Sequence, residues 1–231
     1  MLLNLKQLCG HKLSATDGDI GHIKDFYFDD KTWAVRYLVA DTSGWLTGRK
    51  VLLSPYSFGR FDAEAEVLPV GLTKKQIENS PAIDEHRPVS RQFEENYYRY
   101  YGWPAYWQGG SVWGSAEYPV MTPSSSAGLP GAYEYAQWDD IHLRSAKTVH
   151  GHHIEATDGP IGTVSGFMVD DRTWTIREMV VETGHWYAGK EIRICPTKIG
   201  RISEKESKVF VNLTIADIKR TAEDAVAKCA A

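Results

Sequence analysis

The residues best placed to do chemistry are six aspartates and a group of histidines. Asp17, Asp29 and Asp30 recur downstream as Asp158, Asp170 and Asp171. Clustered carboxylates can serve as acid and base or hold a metal ion. Each of these, however, stands beside a glycine or in a hairpin-like stretch: Asp17-Gly18, Asp158-Gly159, and the Asp-Asp-(Lys/Arg)-Thr-Trp segments ending at Trp33 and Trp174. Asp is favoured in turns because its carboxylate accepts from nearby backbone amides, so all six are read as turn residues. His150, His152 and His153, with His142 and the first copy's His11, are the best metal-like group. On a strand, His150 and His152 would share a face while His153 points away. Zinc sites usually show cysteines or a fuller histidine set, so polar edge residues are the preferred reading and no metal or cofactor is expected. The chain has no Gly-x-Ser-x-Gly elbow, calcium loop or phosphate-cradling glycine motif. No enzymatic activity is expected.

These residues sit inside a duplication. Ala15-Thr16-Asp17-Gly18-Asp19-Ile20-Gly21 returns as Ala156-Thr157-Asp158-Gly159-Pro160-Ile161-Gly162, and one constant offset aligns Gly10–Ser80 with Gly151–Thr221 without a gap. About a third of the paired positions are identical. Two copies are too few for a solenoid, which needs at least three stacked units. The organisation expected is a repeat over 1–81, a connector over 82–140 and a second repeat over 141–231.

Composition sets the bounds. The 231 residues suffice for two small domains, and 42% hydrophobic with 24% charged residues is ordinary for a globular protein. No apolar stretch approaches the ~20 residues that span a bilayer, and the first residues lack the apolar run of a signal peptide. The three cysteines, Cys9, Cys195 and Cys229, are not duplicated with the repeat, so a cytoplasmic location without disulfides is expected. Net charge is −4, with the acidic excess in the connector and both repeats near neutral. No basic stripe is visible, which argues against nucleic acid.

Within each copy the pattern is that of short strands. Asp17-Gly18 and Asp158-Gly159 make tight turns. A strand over 20–28 (161–169 in the second copy) loses its alternation between Ile23 and Phe26, and Gly166 suggests a bulge. A hairpin returns the chain into a strand over 34–41 (175–182), which is apolar on both faces and therefore covered on both. In the next strand Val51 and Leu53 point inward and Leu52 is free to become Arg193. Thr73 with Gln76 predicts a helix-capping box, stapled by Leu72 and Ile77, and Leu213, Thr214 and Ile218 repeat the arrangement. Gly21, Gly162, Trp33 and Trp174 are assigned to turns and packing, as are Trp45 and Trp186.

The motif A-T-D-G-x-I-G-x-(I/V)-x-x-F-x-x-D-D, followed by an apolar strand and a G-(R/K)-x-(V/I)-x-(L/I)-x-P strand, resembles the PRC-barrel family over about 140 residues. That resemblance implies a mainly β protein: two tandem small antiparallel β-barrels, each followed by a helix, joined by an aromatic-rich connector. The family includes the cytoplasmic part of the photosynthetic reaction centre H subunit, the C-terminal domain of a ribosome maturation factor, and stand-alone bacterial and archaeal proteins. It implies a non-catalytic docking surface, with a protein partner or a homo-oligomer. Lack of the H subunit's membrane helix argues against a photosynthetic role, and lack of a separate N-terminal domain departs from the maturation factor. Two other readings stay open. One is a small-molecule- or metal-binding protein, or an unrecognised enzyme, using the cleft between barrels. The other is a ribosome- or RNA-associated factor.

The connector occurs once. Phe93–Trp107 is more than half aromatic, whereas Thr122–Gly131 is rich in Ser, Pro and Gly and reads as loose. So many rings are costly to leave in water. An ordered strap against one or both barrels is expected, with Tyr101, Trp103, Tyr106 and Trp107 as the residues that would meet a partner.

Overall fold

The structure, a computed structural model, describes residues 1–44, 46, 51–81, 89, 91–114, 116–120, 143–184 and 189–220. The first repeat holds β1 (Leu2–Asn4), α1 (Leu5–Leu8), β2 (Lys12–Ala15), β3 (Gly18–Asp29), β4 (Val35–Asp41), β5 (Val51–Leu53), β6 (Val67–Pro69) and α2 (Lys74–Glu78). The connector supplies α3 (Arg91–Tyr101). The second repeat holds β7 (Leu143–Ser145), α4 (Ala146–Val149), β8 (His153–Ala156), β9 (Gly159–Asp170), β10 (Ile176–Thr183), β11 (Glu191–Ile194), β12 (Ile199–Ser203) and β13 (Lys208–Val211), and 215–220 are helical. The tryptophans Trp45 and Trp186 and the Thr122–Gly131 stretch lie outside the described residues.

The protein is mainly β, in two sheets. One runs β5-β4-β3-β2-β6 and the other β11-β10-β9-β8-β13-β12. Closed barrels were the expectation, and the sheets are instead open paths among the described residues. A barrel closes to remove its edges, and here part of that need is met otherwise. The far half of β3 pairs with β7 of the second repeat, and the far half of β9 pairs with β1 of the first. Leu143 faces Asp29 and Leu2 faces Asp170, which are equivalent positions in the two copies. The hairpins repeat the reciprocity: Val35 N donates to Trp174 O (2.8 Å) and Ile176 N to Trp33 O (2.7 Å). Contacts of the type i to j and j to i are the mark of a two-fold relation. The duplicated halves thus form an internal pseudo-dimer with exchanged first strands.

Local features follow the sequence closely. The pairing of β3 with β4 skips Lys24, and that of β9 with β10 skips Ser165. The bulge therefore falls one residue before Gly166, and it returns Ile23, Phe26, Val164 and Phe167 all to the core. β4 is buried on both faces from Val35 to Ala40. Leu52, expected to be free, is buried because α3 lies over it. Thr73 Oγ1 accepts from Gln76 N (3.2 Å) and Gln76 Oε1 from Thr73 N (2.9 Å), the expected box. In the second repeat Asp217 takes the place of the glutamine opposite Thr214.

Gly21 and Gly162 sit where strands cross at close range. Both have positive φ, and a Cβ on either would overlap the carbonyl oxygen of Asp41 or Glu182. Gly151 also has positive φ but open space around it. Gly21→Ala should therefore cost about 4 kcal/mol or more by forcing backbone apart, against about 1–2 kcal/mol for Gly151→Ala from strain alone. Denaturant unfolding of the two variants checks this, and equal losses would refute the close-crossing account.

Candidate functional site

The six aspartates are placed by their backbone neighbours. Asp29 Oδ1 accepts from Lys31 N (2.8 Å) and Thr32 N (3.0 Å), and Asp170 Oδ1 from Arg172 N (3.0 Å) and Thr173 N (2.9 Å). Burial opposes the charge on Asp170, but the amides of Thr173 and Arg172 hold its carboxyl below the usual range. Each hairpin closes on a tryptophan in the left-handed region, Trp33 (φ 59°) and Trp174 (φ 51°). Trp33 stacks on Phe28, and Trp174 meets Phe58 edge-on and stacks on Phe26. Asp17 and Asp158 bind farther away than a local turn: Asp17 Oδ1 accepts from Lys74 N (2.8 Å) and Asp158 Oδ1 from Ile215 N (2.9 Å), at the closing helices. Asp30 takes Arg144 Nε of the exchanged strand (2.8 Å), and Asp171 takes the Met1 amine (2.6 Å). All six carboxylates thus hold turns, helix starts or exchanged arms.

The histidines do not share a strand. His150 follows α4, His152 lies in the turn after it, and β8 begins at His153. His11 stands beside Phe61 and 3.8 Å from Glu66. Among the described residues no group of three or more His, Cys, Asp or Glu side chains could hold a metal; His142 lies outside them. His152 is buried, and its Nε2 has no hydrogen-bond partner among the described residues.

The connector aromatics form the most elaborate constellation. Glu94, Tyr97, Tyr98 and Tyr101 recur at helical spacing on α3, a periodicity that puts them on one face. That face lies on β4 and β5. Tyr97 OH donates to Leu52 O (2.9 Å) and accepts from Ser54 N (3.1 Å). The buried Glu94 Oε1 accepts from Tyr37 OH (2.7 Å) and Tyr106 OH (2.8 Å). Burial raises the phenols of Tyr37, Tyr97 and Tyr98 above the usual tyrosine range, so they stay protonated donors. Arg36, equally buried, stacks its guanidinium over Tyr106 (3.7 Å) and donates to Val112 O (2.7 Å) and Thr32 Oγ1 (2.9 Å). Trp113 Nε1 reaches across to Thr173 O (2.8 Å) of the second repeat.

The segment is therefore an ordered strap on the first repeat. Of the four residues assigned to partner contact, Trp103 and Tyr106 are buried, whereas Tyr101 and Trp107 are half-buried at the strap's margin. Beside them Tyr100 is 41% exposed. The receiving face, Arg36, Tyr37, Leu52, Ser54 and Tyr56, was not singled out in the sequence. A signal for it exists in the repeat comparison. The equivalent positions in the second copy are Arg177, Glu178, Arg193, Cys195 and Thr197, and there Arg193 pairs with Glu178 (3.0 Å) in the open. The copy that carries Tyr37 and Leu52 where the other has the Glu178–Arg193 pair is the one that is covered.

Burial holds the His152 imidazole below the usual histidine value, with Glu204 opposing and His153 adding. The unfolded chain then takes up a proton near pH 6.5 while the folded chain resists, so stability should fall as pH drops below about 6.5. His152→Gln should flatten that fall. Unfolding midpoints at pH 8 and pH 5.5 in both proteins test it, and an unchanged slope would remove His152 from the account.

The PRC-barrel domain family model matches residues 6–76, from α1 into α2. A search of curated proteins finds no match. No helix among the described residues is long and apolar enough to cross a membrane. The match spans β2 to β6 and the hairpin and helix-cap aspartates Asp17, Asp29 and Asp30, and the first repeat is a PRC-barrel domain.

Proposed function

We propose that the chain is a non-enzymatic cytoplasmic docking protein made of two tandem PRC-barrel-type units. The observation that carries this reading is the strap. The outer face of β4 and β5 already receives a helix through aromatic side chains, in the manner of a protein interface, with Trp, Tyr and a buried Arg at its centre. The strap in turn offers an aromatic margin, Tyr100, Tyr101 and Trp107, to a protein partner or a second copy. Glu95 in α3 makes this margin a poorer platform for single-stranded nucleic acid, which wants cations beside its stacking rings.

Inner and outer strap residues should separate cleanly. Trp103→Ala should lower stability by about 3–5 kcal/mol, as for a buried tryptophan. Tyr100→Ala with Trp107→Ala should lower it less, yet abolish association with a partner recovered from the native cell, or self-association in sedimentation. A Tyr100/Trp107 variant that retains every association of the wild type would defeat the proposal.

A further inference from the structure

The second meeting place of the two repeats is where α1 crosses to the sheet of the second repeat and α4 to that of the first. A cavity of about 260 Å³ opens there. It straddles the pseudo-two-fold relation, because Lys6 and its equivalent Lys147 both line it, as do Cys9 and its equivalent His150. Unlike pairs create the space: Ala146 stands where the first copy has Leu5, and Gly166 where it has Asp25.

The larger member of the second pair has its own work. Asp25 Oδ1 accepts from Phe26 N (2.7 Å) and Lys147 N (3.0 Å), and Oδ2 from Ser145 Oγ (2.6 Å). On the other side Asn4, the equivalent of Ser145, bends over Gly166 and accepts from Lys6 N (2.9 Å). One half therefore uses a long acid with a short cap, and the other a glycine with a longer cap. Asp25 is held by three donors and is the only carboxylate lining the cavity among the described residues. Three lysines, Lys6, Lys24 and Lys147, line the cavity with it. Leu5, Ala146 and Phe167 supply an apolar floor.

An apolar floor beneath a positive rim suits a ligand with the same division. At ~30 Å³ per water-sized group, the volume admits on the order of nine non-hydrogen atoms, too few for a nucleotide or a long lipid chain. We infer that the axial cavity binds a small amphipathic monoanion, a carboxylate on a short apolar body. Its head lies between Lys6 and Lys147, and its tail lies on Leu5, Ala146 and Phe167. This site is independent of the strap and of the docking reading.

Octanoate is a suitable probe, with octanol as the headless control and inorganic phosphate as the tailless one. Calorimetric titration of the full chain should show saturable octanoate binding and no saturation by either control. Cys9 lies in the cavity and Cys195 outside it, so octanoate should slow alkylation of Cys9 and leave Cys195 unchanged. Both rates can be read by peptide mass spectrometry. Burial pushes the Cys9 thiol up to about 11, so its labelling is slow and is followed over a long incubation. Lys6→Gln with Lys147→Gln, both solvent-exposed, should keep the melting temperature and weaken octanoate about tenfold or more, as loss of charge-assisted hydrogen bonds does. Ala146→Phe should fill the cavity and abolish binding. Equal protection of both cysteines, or octanoate affinity unchanged by the lysine pair, would show surfactant-like adsorption and overturn the proposal.

Discussion

Each half of the molecule gives its first strand to the sheet of the other, and most other features are consequences of that exchange. β3 and β9 are long because each must pair along one edge with two strands, its own β2 or β8 and then the arm from the other copy. The bulges at Lys24 and Ser165 bend these strands between the two pairings. Asp30 and Asp171 tie the arms down by charge, to Arg144 and to the Met1 amine. A unit of about 80 residues buries a modest core on its own. Here buried residues of both repeats belong to one continuous hydrophobic cluster. Cut at the connector, each sheet would lose a strand that the other half supplies.

Pseudo-symmetry of this kind leaves room for divergence wherever equivalent positions do not face each other. The outer faces of the two sheets have diverged most. In the first copy Tyr37, Leu52, Ser54 and Tyr56 accept α3, and two phenols donate to Oε1 of the buried Glu94. A buried carboxylate is tolerable only with such donors. In the second copy Glu178 and Arg193 pair with each other in solvent, and an aromatic helix could not cover them without stripping their water. The strap therefore has one place to lie.

The carboxylates that looked most like chemistry are absorbed by architecture. Their hydrogen bonds go to backbone amides, an arginine and the Met1 amine, in matching positions of both halves. What stays available is surface: an aromatic margin on one side and a lysine-rimmed cavity where the halves meet.

Much of this was legible in the residues because it is local or periodic. The duplication, the Asp-Gly turns, the doubly covered β4 and the Thr73–Gln76 cap all depend on neighbours within a few positions. The motif of the first copy was enough to indicate the PRC-barrel domain family that its match supports. Only the tertiary structure decided the rest. Leu2–Asn4 and Leu143–Ser145 are three-residue strands whose partners lie in the other repeat, so no periodicity within them could reveal the exchange. Asp17 reads as a turn residue, yet its partner amide at Lys74 is 57 positions away. The aromatic run announced that something must cover it, but which repeat does so depended on comparing Tyr37 with Glu178 and Leu52 with Arg193. Those positions meet α3 only after both sheets have formed, and burial is a property of what lies opposite, which a linear pattern does not contain.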